Sequence, residues 1–524
     1  MRAIRLFLLL ALLVPTAAHA EWREASSANF VVYADDSEKN VRRFSEQLEL
    51  YHSAMEVLTG NELPVPSPSS RLTVFVVKNE REVRRLLGDG SRYVAGYYSP
   101  RAAGSIAVVP RVQAAGRGQP DMAMIVLLHE YAHHFMISSS TMAMPRWLSE
   151  GGAEFFASAE FPSAGGISLG MPARHRVGEL LYAREVKAKD LLDPRAYSDG
   201  GRKGFDSFYG RSWLLYHYLT FDEGRRGQMQ AYLRLLASGK GGLEAATEAF
   251  GDFSRLDREL DRYLQKRMYA FTFKPGQLDT GTISVRELDA AETAVMPLVI
   301  RSRNGVNSEQ AAELVAEVRQ VAEMFPDSPA VLAALAEAEF DAGENGRAIE
   351  AADKALALDG KRLNAYVQKG YALFRQANEA DDLTAAYNSA MAPFTALNRI
   401  ENDHPLPLIY YYRSFADRGE HPADLAVQGL ERAVQLAPFD RGLRYDLAVY
   451  HLNADNFVEA RYYLLPIAYD PHGGRASDGA RRVVERIDAG IEGAGAGREL
   501  LTLLSSAQDR DDDEDVEDLP AEPE

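Results

Sequence analysis

The sequence predicts a chain in two parts: an α+β N-terminal domain, a small mixed sheet plus helices, followed by an all-α domain of helical repeats. Three observations predict it. Runs rich in Val, Phe, Tyr and Ile come early and are followed by long helical patterns. From about residue 308 the composition shifts to Ala, Leu and Glu, with chain breaks at near-constant intervals. The length of 524 residues also exceeds what one ordinary core can hold.

Composition narrows the function classes. Lys and Arg number 58 against 76 Asp and Glu, a net charge of −18. So acidic a chain is poorly suited to nucleic-acid backbones, which call for clustered cations. The absence of cysteine excludes disulfides, zinc–thiolate sites, thiol catalysis and a lipid-bearing Cys. Residues 1–20 read as a secretory signal: Arg2 and Arg5 supply the positive region, Leu6 to Val14 the apolar core, and Ala18-His19-Ala20 a small-x-small cleavage site. That apolar run is too short to span a membrane. The mature chain is expected to begin near Glu21 with no transmembrane span. An exported chain without cysteine fits the periplasm first and release to the medium second.

The elements follow in order. Asn29 to Tyr33 reads as a strand, Glu38 to Leu58 as a helix stopped by Gly60, and Leu72 to Val77 as a strand. Glu80 to Leu87 reads as a short helix, then Tyr93 to Tyr98 and Ile106 to Val109 as strands. A mostly apolar, buried helix begins near Asp121, which can cap it after Pro120. A second is expected over Trp147 to Ala157. Further helices are predicted at 176–185, 209–221, 227–237, 242–250 and 254–271. The domain is expected to cover 21–273. Residues 274–305 read as a connecting segment, with a strand at Ile283 to Leu288 and the rest a linker with a helix.

Residues 306–505 read as repeats. Blocks end at Pro326, Gly360, Pro405, Pro438 and Pro471, gaps of 34, 45, 33 and 33. Three gaps match the tetratricopeptide period, and the longer one implies an insertion near Gln376 to Leu383. Small residues such as Ala333, Ala336 and Ala348 sit where paired helices touch, and Gly343 falls at an inter-helix turn. An irregular helical domain is the other reading of this part. The tail 506–524 carries ten acidic residues and one Arg from Asp509 onward and is expected to be disordered.

Chemistry concentrates at His129-Glu130-Tyr131-Ala132-His133. Four residues apart on a helix, His129 and His133 share a face and can both reach one ion at about 2.0–2.1 Å. Glu130 lies one residue on and can reach a water held by the metal, taking a proton that the metal has acidified. Imidazole and carboxylate ligands with an open fourth position favour catalytic zinc, one ion per chain. Chance alone produces this five-residue pattern in roughly one or two chains per hundred of this histidine content. Its place in an apolar helix weighs against that reading, because unpaired His and Glu would be costly to bury. Downstream, Trp147-Leu148-Ser149-Glu150-Gly151-Gly152-Ala153-Glu154-Phe155 supplies further carboxylates.

These two stretches together resemble the gluzincin metallopeptidases, the thermolysin and aminopeptidase superfamily, over roughly residues 25–270. The resemblance implies a zincin-like domain in which Glu150 is the third metal ligand. It places Glu154 where related enzymes hold a ligand His; a solvated surface carboxylate is the other reading. It also implies an oxyanion-stabilising Tyr about sixty residues after the glutamate ligand. Tyr209, 59 residues on at the start of a helix, fits; a packing tyrosine is the alternative. Tyr131 and His134 are expected to pack, and His217 to be a satisfied core histidine. The aminopeptidase branch carries a Gly-x-Met-Glu-Asn stretch that is absent here before His129. An endopeptidase is therefore favoured over an aminopeptidase. Gly96-Tyr97-Tyr98 or Gly104 to Ala107 is the candidate for an edge strand that pairs with substrate backbone.

The expectation is an exported zinc peptidase acting on a peptide or protein substrate, with a possible protein partner on its repeats. The alternatives are a non-catalytic envelope scaffold acting through its repeats, and a zinc hydrolase of a non-peptide substrate.

Overall fold

The computed structural model describes residues 22–87, 96–111, 120–139, 144–197, 205–470, 473–491 and 495–505. The predicted signal segment and acidic tail lie outside the described residues, as does the first half of the strand expected at 93–98. Among the described residues no helix is long and apolar enough to cross a membrane.

The N-terminal sheet is built from β1 (Trp22–Ser26), β2 (Phe30–Asp35), β3 (Leu72–Val77), β4 (Tyr97–Ser99), β5 (Ile106–Pro110) and a late strand, Ser284–Glu287. Its order is β4-β5-β3-β2-β1 with the late strand outermost, beside β1. The centre is parallel: β2 pairs with β3 and β3 with β5. Parallel strands are covered on both faces, which is why Val74 to Val77 and Ile106 to Pro110 are buried without a break. The margins are antiparallel, β4 on β5, β1 on β2 and the late strand on β1. The sheet is therefore small and mixed.

Helix α1 (Glu38–Thr59) crosses from β2 to β3. Ser37 caps it, and Gly60, at φ 69°, ends it in the left-handed region where glycine is favoured. Helix α2 (Glu80–Leu87) lies between β3 and β4. Helix α3 (Met122–Ser139) starts where Asp121 Oδ1 accepts the Met124 N–H at 3.0 Å. The rest of this half comprises α4 (Arg146–Ala157), β6 (Ile167–Leu169), α5 (Val177–Tyr182), α6 (Ala188–Leu192), α7 (Phe208–Phe221), α8 (Gln228–Ala237), α9 (Gly242–Phe250), α10 (Phe253–Tyr263) and β7 (Phe271–Phe273). The late strand is β8.

Two expectations need correction. The helix predicted over 254–271 stops at Tyr263, because Phe271-Thr272-Phe273 alternates as a strand and pairs with Ile167 to Leu169. The helix predicted over 176–185 is shortened to Val177–Tyr182. In the segment 274–305 the strand expected at 283–288 is present as β8, which completes the N-terminal sheet, and a helix, α11 (Ala290–Asn304), follows it.

The C-terminal half is all helical: α12 (Ser308–Met324), α13 (Pro329–Asp341), α14 (Asn345–Leu358), α15 (Leu363–Ala377), α16 (Leu383–Ile400), α17 (Pro405–Ala416), α18 (Asp424–Leu436), α19 (Arg441–Asn453), α20 (Phe457–Ala468), α21 (Arg475–Asp488) and α22 (Ala496–Ser505). They pack as successive hairpins, α13 on α14, α15 on α16, α17 on α18 and α19 on α20. Hairpins begin at residues 329, 363, 405, 441 and 475, so the long repeat is the one opened by α15. Its extra residues are spread over two long helices and their turn rather than concentrated in one loop. Small residues permit the close contacts. A Cβ on Gly370 of α15 would stand 2.5 Å from the buried Phe394 ring of α16.

The repeats sit against the N-terminal domain through their connecting loops. Glu401 accepts the Ser69 N–H at 3.0 Å and the Ser69 hydroxyl at 2.9 Å. Asp440 accepts the Ala102 N–H at 2.9 Å, and Ala102, in the β4–β5 turn, is buried within the repeat core. The Phe439 ring lies 4.4 Å from that of His134 on α3.

Candidate metal centre

Helix α3 is apolar nearly all round, so its His129 and His133 are buried, one turn apart on one face. Helix α4 packs on both α3 and α7. Gly151 permits the second contact, since a Cβ there would meet the Ser212 carbonyl of α7 at 2.5 Å. This close approach drives Glu150, fully buried, between the two imidazoles.

Three ligand atoms converge. His129 Nε2 and His133 Nε2 are 3.1 Å apart. Glu150 Oε2 lies 3.3 Å from the first and 3.4 Å from the second. Tetrahedral bonds of about 2.05 Å have ligand–ligand edges of about 3.3 Å. The triangle therefore fits a zinc ion without rearrangement. Neither Glu150 oxygen makes a hydrogen bond of acceptable geometry, although both are buried. A buried carboxylate without such partners is costly, and a cation is what such a site suits. Among the described residues, His129, His133 and Glu150 form the cluster of three able to hold a metal ion.

Outer contacts orient the ligands. Glu154 is buried, 1 % exposed, with Oε1 3.2 Å from His129 Nδ1. It is therefore not a solvated surface carboxylate, and it stands against the His129 imidazole. Ser149 Oγ lies 3.2 Å from His133 Nδ1. Each imidazole thus turns its other nitrogen to the ligand triangle. Burial acts to raise the Glu150 and Glu154 carboxyls. It is outweighed at Glu150 by His129 and His133, and at Glu154 by Arg176, His175 and His129, so both stay well below the usual range. Burial likewise opposes charge on His129, but Glu150 and Glu154 prevail and push its pKa up to about 10.

Glu130 is half-buried beside His129 and outside the ligand triangle. Tyr209 opens α7, is 8 % exposed, and its ring centre lies 6.5 Å from that of His129. The structure brings all six sequence-derived site residues into one region.

Sequence reasoning missed His175, Arg176 and Glu179. His175 Nε2 lies 2.6 Å from Glu154 Oε2, and Arg176 donates to Glu154 Oε1 at 2.7 Å and to Glu179 Oε1 at 2.8 Å. The segment reaches Glu154 only because the chain folds back after β6, and no local periodicity encodes that.

Tyr131 and His134 are placed by packing and hydrogen bonds. The Tyr131 hydroxyl meets His52 Nδ1 at 2.7 Å, and the Tyr98 hydroxyl meets His134 Nδ1 at 2.6 Å. Tyr98 belongs to β4, the edge strand on this side of the sheet.

His217 is fully buried. Its Nδ1 lies 2.9 Å from the Tyr263 hydroxyl, and its Nε2 faces the carbonyls of Gly170 and Tyr269 at 3.1 and 3.0 Å. That pattern assigns a neutral ring with the proton on Nε2. Burial lowers its pKa to about 4, against an ordinary 6.5. Between those values the unfolded chain binds a proton that the native chain does not. Native stability is therefore expected to fall as pH drops from 6.5 towards 4, by roughly 3 kcal/mol at most from this group, and to level off below. Imidazole NMR, with the signal identified by its loss in His217→Gln, checks this; a midpoint near 6.5 refutes it.

No family model and no curated protein matches the chain. Solved structures similar to it include a thermophilic TPR protein of Thermus thermophilus, at 17 % identity over 42 % of this chain and 99 % of that one, TM-score 0.31. A double mutant of MamA matches at 15 % identity over 35 % and 96 % of the two chains, TM-score 0.28. MamA itself matches at 17 % over 35 % and 95 %, TM-score 0.26. At such scores the likeness carries no weight. The repeat architecture described above rests on the helix hairpins of this chain.

Proposed function

We propose that this chain is an exported zinc-dependent peptidase whose helical repeats recruit a substrate or partner protein. The observation that carries the reading is the buried triangle of His129, His133 and Glu150, with its edges of 3.1–3.4 Å. Zinc held there supplies a Lewis acid that polarises a carbonyl and acidifies water. Glu130 takes and returns the proton at its carboxylate, as a general base close to His129. Tyr209 offers a phenol hydroxyl to the developing oxyanion. Glu154 and Ser149 hold the two imidazoles in the tautomer that ligation needs. Tyr98 on β4 marks the edge along which an extended peptide backbone can pair. Support for export comes from the N-terminal signal pattern, with the periplasm as the compartment.

A second reading is favoured by the repeats: a non-catalytic envelope scaffold that binds a protein partner. Metal analysis separates the two. The peptidase reading expects about one zinc per purified chain and peptide-library cleavage that chelator abolishes and zinc restores. No zinc, even when it is supplied during refolding, ends that reading. Partner capture by the full chain without any cleavage favours the scaffold.

A further inference from the structure

Helix α5 packs on α7 and on the turn that precedes it, and Arg176 lies at the junction of turn and helix. Its guanidinium donates to Glu154 at 2.7 Å and to Glu179 at 2.8 Å, and its Cζ stands over the Tyr209 ring, 4.8 Å from the ring centre. Glu179 in turn accepts the Gly210 N–H at 3.0 Å through its second oxygen. That N–H belongs to the first turn of α7, where helix amides have no partner of their own. Ser207, at the head of α7, makes no side-chain cap. Asp206 accepts the Phe208 N–H at 3.1 Å, and a second carboxylate at this helix start, Glu179, comes from α5.

The approach is close because residue 210 is glycine. A Cβ there would stand 2.9 Å from Leu180 Cγ and 3.5 Å from Glu179 Oε2. One cation thus contacts three groups: the carboxylate behind His129, one of the two carboxylates at the start of α7, and the ring of Tyr209. Arginine suits this as lysine does not. Its flat fork can bond two carboxylates and lie over an aromatic face at once, whereas an ammonium is a point charge.

We infer that Arg176 is the positioning residue of this centre: it holds the Tyr209 ring and the Glu154 carboxylate in fixed relation, so that the phenol stands across from the ligand triangle. The inference rests on the peptidase reading for what Tyr209 does, but not for where Arg176 acts. Arg176 touches no ligand of the metal, so its loss leaves the triangle intact. What it sets is the placement of the phenol, and an error of about 1 Å in a reacting group costs on the order of 10²-fold in rate.

The test uses the full chain and Arg176→Lys, which keeps the charge and loses the flat fork. Hydrogen exchange, read by mass spectrometry without substrate, is expected to speed up over residues 207–212 and to stay as in the parent over α4. Zinc content is expected to be unchanged. In peptide hydrolysis kcat falls by ~30- to 100-fold with KM within about threefold. In a Tyr209→Phe background the same change costs less than about threefold, because the group that Arg176 positions is already gone. Unchanged exchange over 207–212, additive losses in the two backgrounds, or loss of zinc or of cooperative unfolding in Arg176→Lys each overturn the inference. If the parent itself shows no zinc-dependent hydrolysis, the peptidase reading falls, and the exchange measurement alone decides the role of Arg176.

Discussion

Replacing Glu130 by Gln is expected to leave zinc content unchanged and to lower kcat by roughly 10²–10⁴-fold, the range that a positioned general base contributes. The two side chains have the same shape, so the half-buried site beside His129 accommodates either. The amide cannot accept a proton, and that is the difference being tested. Because Glu130 lies outside the triangle of His129, His133 and Glu150, the metal has no reason to leave. Equal cleavage of a peptide library by variant and parent would show that another group serves as base, or that the hydrolysis belongs to a contaminant. Loss of zinc from the variant would move Glu130 into the ligand set.

Glu150→Gln is the second large effect, on binding rather than on rate. It removes the one anionic group of the proposed ligand set, fully buried between two imidazoles. Loss of an outer partner such as Glu154 typically costs 10- to 100-fold in metal affinity, and loss of a ligand exceeds that. The expected order of zinc dissociation constants is therefore parent, then Glu154→Gln, then Glu150→Gln, measured by competition with a coloured chelator. If Glu150→Gln binds zinc as tightly as the parent, the metal is held elsewhere.

Much of this centre was legible in the sequence because helical spacing encodes it. His129 and His133 share a face at any reasonable α3 register, and Glu150 lies in an uninterrupted helical pattern with Gly151 and Gly152 beside it. Strands β3 and β5 announced themselves as continuous apolar runs, as the parallel centre of a sheet must. What stayed hidden depends on chain reversal. Arg176 reaches Glu154 from 22 residues away through a turn of irregular backbone. Strand β1, with the sequence Trp-Arg-Glu-Ala-Ser, carries too little apolar alternation to stand out and owes its conformation to partners on both sides. Tyr263 to Phe273 misled because the spacing of Leu256, Leu260 and Tyr263 is helical, and the aromatic residues that continue it belong to a strand.

The late strand has a kinetic consequence. β1 finds β2 at once, across a three-residue turn, but its other edge is covered only when Ser284 to Glu287 arrive. Ser26 and Ser284 are 258 positions apart. Closing a loop of that size costs roughly 3 kcal/mol more in chain entropy than closing one of ten residues. Contacts so distant in sequence form late. Until then β1 presents an open row of backbone donors and acceptors, the kind of edge that recruits other chains. Residues 284–287 are thus the piece that seals the sheet, and a chain interrupted before them would keep every ligand of the proposed metal site together with an adhesive edge.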